Sequence, residues 1–161
     1  MLERLLIAGA GGQGVILAGR LLAGAAVKSV PHVTFFPSYG AEVRGGISNC
    51  QVVLSSDEIA SPVSETYDSI LIMNQKSLDN FLKRIGKKCV AIVNSSLCKM
   101  PAKTGIIPIK ATELADNLGD TRVTNLIMLG AYVARTRIVP QTDIEKGIRE
   151  IFCAYKKTNF N

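Results

Sequence analysis

The sequence predicts an α/β domain of three layers, Rossmann-like, with a largely parallel sheet and a helical C-terminus. Two observations carry this. Short apolar runs alternate with helical patterns through the first two thirds of the chain, the order of βαβ units. The first run passes into "GAGGQG", where Gly9, Gly11 and Gly14 have the spacing of a tight strand-to-helix turn. With 161 residues, 47% of them apolar and 20% charged, the chain can fill one core. It is read as a single domain, 1–161, since no repeat or linker-like stretch divides it.

Each element has its own reason. Arg4 to Gly9 is short and apolar on both faces, as a buried parallel strand is. Val15 to Ser29 places Ile16, Leu17, Leu21, Leu22, Ala25 and Ala26 along one helix side, with small residues for close packing on a sheet. Pro31 ends it. His32–Phe36 is rich in Val, Thr and Phe, a second strand, and Ile47–Leu54 is a third. Ser69–Met73 is a fourth strand, and Asn74 is placed to cap the next helix. In that helix Leu78, Phe81, Leu82 and Ile85 recur at helical spacing, and Gly86 stops it. Cys89–Val93 is a fifth strand; "GIIPIKA" is an edge strand, because Pro108 lacks a ladder donor. Thr112–Leu118 is a short helix. Val123–Thr136 is apolar nearly all round, the pattern of a buried helix. Thr142-x-x-Glu145 after Pro140 reads as a capping box, and Ile144, Ile148, Ile151, Phe152 and Tyr155 mark one face of a last helix.

Composition narrows the function classes. The longest apolar run, Leu126–Ala134, is about half a membrane span. Glu3 and the glycines interrupt the N-terminal run, which argues against a signal peptide. The chain is expected to be soluble and cytoplasmic, with no membrane partner. Cys50, Cys89, Cys98 and Cys153 form no C-x-x-C pair and His32 is the one histidine, so a zinc or cluster site is not expected. Cys50 and Cys89 alternate with core residues and read as small buried hydrophobes. The net charge is +6, with clusters at Lys83, Arg84, Lys87 and Lys88 and at Lys156 and Lys157. These read as a solvated face or as a surface for an acidic partner or anionic ligand. Nucleic acid is not expected, since no basic stripe carries interleaved aromatics and there is no tryptophan.

The glycine turn has two readings. A helix N-terminus offers free amides to an anion, and the glycines allow close approach. Alternatively they serve packing alone. The acid that grips ribose in NAD sites is missing, since Val33–Ser38 holds no Asp or Glu. A second loop, "SYGAEVRGG", follows the second strand and places Tyr39, Glu42 and Arg44 among Gly40, Gly45 and Gly46. In a parallel sheet both loops lie at the same end, so they are expected to be neighbours. Arg44 offers a fork for phosphate or carboxylate, or pairs internally with Glu42. No acid–nucleophile set accompanies His32, and Ser95-Ser96 reads as a turn or a nucleophile.

The stretches "GAGGQGVILAG", "PSYGAEVRGG", "DSILIMNQKSLDNF" and "TNLIMLGAY" occur in that order between residue 9 and about residue 132. Together they resemble the gamma subunit of the 2-oxoacid:ferredoxin oxidoreductases (pyruvate, 2-oxoglutarate and branched-chain types). The SYG-x-E-x-RGG loop is the specific part. Indolepyruvate oxidoreductase small subunits share the GGQG start but differ ahead of RGG, and remain an alternative beside a stand-alone nucleotide-binding module. "SSDEIASPV" leans toward the 2-oxoglutarate type.

The resemblance implies oxidative decarboxylation of a 2-oxoacid to an acyl-CoA, with ferredoxin as electron acceptor. It implies alpha, beta and delta-type partner subunits that hold thiamine diphosphate, magnesium and iron–sulfur clusters. This chain would then scaffold the complex or face coenzyme A and bind no cofactor alone, and the isolated chain is expected to be inactive. Whether it dimerises when isolated stays open. The candidate contacts to coenzyme A or a partner subunit are Gly9, Gly11, Gly12, Gln13, Gly14, Tyr39, Glu42, Arg44, Gly45 and Gly46.

Overall fold

A computed structural model describes residues 1–38, 46–102 and 105–158. The elements are β1 (Leu2–Ala10), α1 (Val15–Ala26), β2 (His32–Ser38), β3 (Ile47–Ser55), β4 (Ser69–Ile72), α2 (Gln75–Phe81), β5 (Val90–Asn94), β6 (Ile106–Ile109), α3 (Ala111–Asn117), α4 (Thr124–Thr136) and α5 (Gln141–Thr158). The strands form one sheet in the order β2-β3-β1-β4-β5-β6. β1, β4, β5 and β6 pair in parallel.

β3 breaks the parallel pattern. It runs antiparallel to both β1 and β2, which leaves β2 pointing the same way as β1. The reason is length. The stretch 39–46 is too short for a crossover, which needs about a dozen residues or more, so β3 returns beside β2 as the second arm of a hairpin. The result is a split β1-α1-β2 unit with β3 inserted between its two strands. The expected α/β fold is borne out, with this antiparallel insertion added.

The core lies on both faces of the sheet. On one face Leu5, Ile7, Cys50, Val52, Leu54, Leu71 and Ile92 meet α1, α4 and α5. On the other, Leu6, Ala8, Ile70, Ile72, Ala91 and Val93 meet Leu78 of α2 and the flanking Tyr67 and Ile85. Gly19 lets α1 lie directly on the hairpin: a Cβ there would stand 2.5 Å from Cys50 Sγ and 2.8 Å from Phe35 Cε2. Cys50 and Cys89 are buried, as expected of small hydrophobes. Burial pushes the Cys50 thiol up to about 12 and the Cys98 thiol up to about 11, so neither is a nucleophile at neutral pH. Among the described residues no helix is long and apolar enough to cross a membrane.

Three local expectations change. α4 is buried along one stripe, Thr124, Asn125, Met128, Leu129, Tyr132 and Val133, while Gly130, Ala134 and Arg135 are exposed. It lies on the sheet rather than inside the core. α5 begins at Gln141, and the capping box at Thr142 gives way to other bonds: Gln141 Nε2 donates to Glu145 Oε1 at 2.8 Å, and Asp143 N–H donates to the Pro140 carbonyl at 3.0 Å. Ile144 is buried in the core and Ile148 and Ile151 pack against it; the side chains of Phe152 and Tyr155 lie outside the described ones. The second helix ends as an α-helix at Phe81 and continues as a 3₁₀ turn, Leu82–Arg84.

The β1–β4 register is pinned at its start by a charged pair. Arg4 Nε and Nη2 donate to the two oxygens of Asp68 at 2.8 and 3.1 Å, and the Arg4 N–H donates to Asp68 Oδ2 at 3.0 Å. Hydrogen bonding from the Arg4 side chain holds the Asp68 carboxyl below its ordinary 3.8. A depressed carboxylate adds stability above the unfolded-state pKa and loses it as pH falls through the folded one. We predict that Asp68→Asn destabilises the chain at pH 7 by about 1 kcal/mol, the pair being a third exposed and screened. The gap to wild type closes as pH drops below 3.8. Thermal melts of both proteins across acid pH check this, and a gap that persists under full protonation contradicts it.

Candidate functional site

β1 and β4 are parallel neighbours whose connections leave in opposite directions. From β1 the chain passes through α1 toward the β2 edge. From β4 it passes through α2 on the other face toward β5. That divergence makes the carboxyl ends of β1 and β4 the topological switch point of the sheet, the usual place for a site in an α/β sheet. The glycine turn sits there.

The turn is held by its own side chains. The Ala10 N–H donates to Gln13 Oε1 at 2.7 Å, and the Gln13 N–H donates to the Ala10 carbonyl at 3.2 Å. Gln13 Nε2 reaches the Met73 carbonyl at 3.5 Å. Asn94 Nδ2 donates to the same carbonyl at 3.3 Å and to Thr112 Oγ1 at 2.9 Å. A chain of amides therefore ties the ends of β1, β4 and β5 together. Ser96 belongs to this closure: its Oγ accepts the Glu113 N–H at 3.2 Å, the turn reading of Ser95-Ser96.

The glycines divide into packing and display. Gly14 is the N-cap of α1 in the left-handed region, φ 72°, and its carbonyl accepts from Asn125 Nδ2 at 3.1 Å. The space beside its Cα is filled by the Asn125 amide, leaving no room for a Cβ. Gly9 is enclosed likewise, by Gln13, Val15 and Met73. Gly11 and Gly12 are exposed, and Gly12, at φ 89°, has open space where a Cβ would be. α1 begins with no side-chain cap, so its first amides stay available at this tip.

The described flanks of the second loop end at the same end of the sheet as the glycine turn. Ala10 stands opposite Ile47, and Ser38 opposite Asn49. Half-buried Gly46 directly precedes Ile47, the strand position facing the glycine turn. Tyr39, Glu42, Arg44 and Gly45 lie outside the described residues. The inserted β3 also explains the missing ribose acid. It sets the end of β2 about 10 Å from β1, two strand spacings away, so no side chain of β2 occupies the position a dinucleotide site uses. Sequence reasoning missed Asn94, Thr112 and Asn125, which close this end of the sheet from β5, α3 and α4. Asn94 ends a strand, a visible cue; nothing local marks Asn125, which meets Gly14 across 111 positions of chain. Among the described residues no group of three or more His, Cys, Asp or Glu is arranged to hold a metal ion.

The family model of the pyruvate ferredoxin/flavodoxin oxidoreductases matches residues 4–160. The chain belongs to this family. Ketoisovalerate oxidoreductase subunit VorA of Methanothermobacter thermautotrophicus is 36% identical over 132 residues, 81% of this chain but 28% of that protein. 2-Oxoglutarate synthase subunit KorC of Methanocaldococcus jannaschii is 33% identical over 154 residues, 92% of this chain and 82% of that one. The crystal structure of the keto/oxoacid ferredoxin oxidoreductase gamma subunit from Geobacter sulfurreducens superposes with a TM-score of 0.78 at 30% identity, covering 91% of this chain and 84% of that one. This chain thus spans 28% of the length of VorA and most of the length of the gamma and KorC subunits. The resemblance to oxidoreductase gamma subunits read from the sequence is borne out.

The displayed Gly12 and the packed Gly14 behave differently under substitution. We predict that Gly12→Ala costs about 1 kcal/mol, from backbone conformation alone. Gly14→Ala adds displacement of Asn125 and costs about 2–4 kcal/mol. Urea unfolding of the two variants checks this; equal losses would contradict a packing role for Gly14.

Proposed function

We propose that this chain works as the gamma subunit, or gamma domain, of a 2-oxoacid:ferredoxin oxidoreductase that converts 2-oxoglutarate to an acyl-CoA. In this reading thiamine diphosphate, magnesium and the iron–sulfur clusters sit on alpha, beta and delta-type partners. The gamma chain faces coenzyme A. The observation that carries the coenzyme A assignment is the exposed Gly11–Gly12 tip over the uncapped start of α1. A bare helix N-terminus with open space above it fits the pyrophosphate of an anionic coenzyme. Gly9, Gln13 and Gly14 hold that tip in place rather than touch the ligand. Tyr39, Glu42, Arg44, Gly45 and Gly46 are the second set of proposed contacts, with the Arg44 guanidinium supplying charge to an anion. The 2-oxoglutarate assignment is supported by "SSDEIASPV" and by the KorC match, which extends over 92% of this chain.

Co-expression with the thiamine-binding subunits of the same complex tests this function. A purified complex that oxidises 2-oxoglutarate in preference to pyruvate and 2-oxoisovalerate, dependent on coenzyme A, is expected. A chain that never assembles, or a complex selective for another 2-oxoacid, contradicts it. Within that complex Arg44→Ala is expected to raise the KM for coenzyme A or weaken assembly several-fold. Stability should change by less than about 0.5 kcal/mol, as for a surface residue. Unchanged kinetics and assembly would remove Arg44 from the site.

A further inference from the structure

The opposite end of the sheet carries a second feature. Asp68 immediately precedes β4 and Cys89 immediately precedes β5, so the amino ends of these parallel strands frame a cavity of about 320 Å³. Its lining includes Thr66, Tyr67, Asp68, Arg84, Lys87 and Lys88. Lys83, Arg84, Lys87 and Lys88 are exposed, and none forms an ion pair with a described carboxylate. Asp68, the acid in the cavity wall, is already held through both oxygens by Arg4.

These cations are displayed on a rigid base. Arg84 Nη1 donates to the Tyr67 hydroxyl at 3.3 Å, and its guanidinium lies 5.8 Å from the Phe81 ring centroid. Tyr67 is buried, so the guanidinium is fixed at two points without being neutralised. Lys87 and Lys88 sit on a turn closed by the Cys89 N–H to the Gly86 carbonyl at 3.2 Å, between buried Ile85 and Cys89. A solvated face has mobile cations; here the arginine is oriented, and the acid in the cavity lining, Asp68, is already paired with Arg4.

We infer that this surface docks an acidic protein segment, with partner carboxylates laid along Arg84, Lys87 and Lys88. The arrangement favours extended carboxylates over a compact phosphate. Asp68 is neutralised by Arg4 and adds no attraction for an ion seated deep in the cavity. The cations instead spread along the rim from the 3₁₀ turn to the start of β5. This docking face lies a strand's length from the glycine turn and is independent of coenzyme A.

The test uses the full chain and a fluorescein-labelled deca-glutamate peptide, read by fluorescence anisotropy. Saturable binding at about 50 mM salt is expected, falling at least tenfold near 300 mM as the Debye length shrinks. The charge reversal Arg84→Glu/Lys87→Glu/Lys88→Glu is expected to abolish it. The matched reversal Lys28→Glu/Arg135→Glu/Arg149→Glu, of the same net charge, is expected to leave affinity within about twofold, as distant exposed charges are screened. Lys87→Ala/Lys88→Ala spares the arginine anchor and should still weaken binding about threefold or more. Equal losses in the two triple variants would show a net-charge effect and overturn the inference. So would absence of binding, or displacement of the peptide by inorganic phosphate but not by sodium chloride at equal ionic strength.

Discussion

Every part of this fold is referred to β1, and β1 is held on both edges by different kinds of ladder. β3 pairs with it antiparallel from Leu2 to Ala10, and β4 pairs parallel from Leu5 to Ala8. Double pairing leaves the strand no edge, and Leu5 to Ala8 are almost fully buried on both faces. A strand so fixed delivers the glycine turn at one definite height and direction. The Arg4–Asp68 pair sets the same register from the other end, where a one-residue slip would exchange the two core faces.

The carboxyl end shows how little of a glycine motif needs to concern a ligand. Gly9 and Gly14 are consumed by packing: the space beside them belongs to Gln13, Val15, Met73 and Asn125. The network from Gln13 through the Met73 carbonyl to Asn94 and Thr112 satisfies polar groups that this end of the sheet would otherwise leave buried and unpaired. What remains outward is Gly11, Gly12 and the bare start of α1. The motif therefore splits into a mortised base and a small displayed tip, and the tip alone is suited to an anionic partner.

The two ends of the sheet differ in kind. The carboxyl end is built from neutral amides and helix-terminal N–H groups, whose pull on an anion is short-ranged and directional. The amino end carries full charges, one set paired (Arg4 with Asp68) and the other unpaired on the turn around Gly86. Full charges act over a Debye length and suit the approach of a large partner rather than the grip on a small one. The two poles are kept apart by the length of the strands between them.

Much of this was legible in the chain itself. The apolar runs and their alternation with helical patterns marked all six described strands; for the inner strands β1, β4 and β5, burial on two faces demands continuous apolar residues, and the demand is local. The Asn74 cap was visible for the same reason: its side chain accepts the Ser77 N–H three residues away. The family, too, was carried by local motifs in fixed order. Tertiary structure decided the rest. The antiparallel return of β3 follows from the shortness of the stretch 39–46, yet its insertion beside β1 depends on which edge α1 leaves free. The one-sided burial of α4 depends on what lies beneath it, not on its own composition. Asn125 meets Gly14 only because the sheet brings a late helix over an early turn. Local physics wrote the elements, and long-range packing chose which glycines are filled and which are offered.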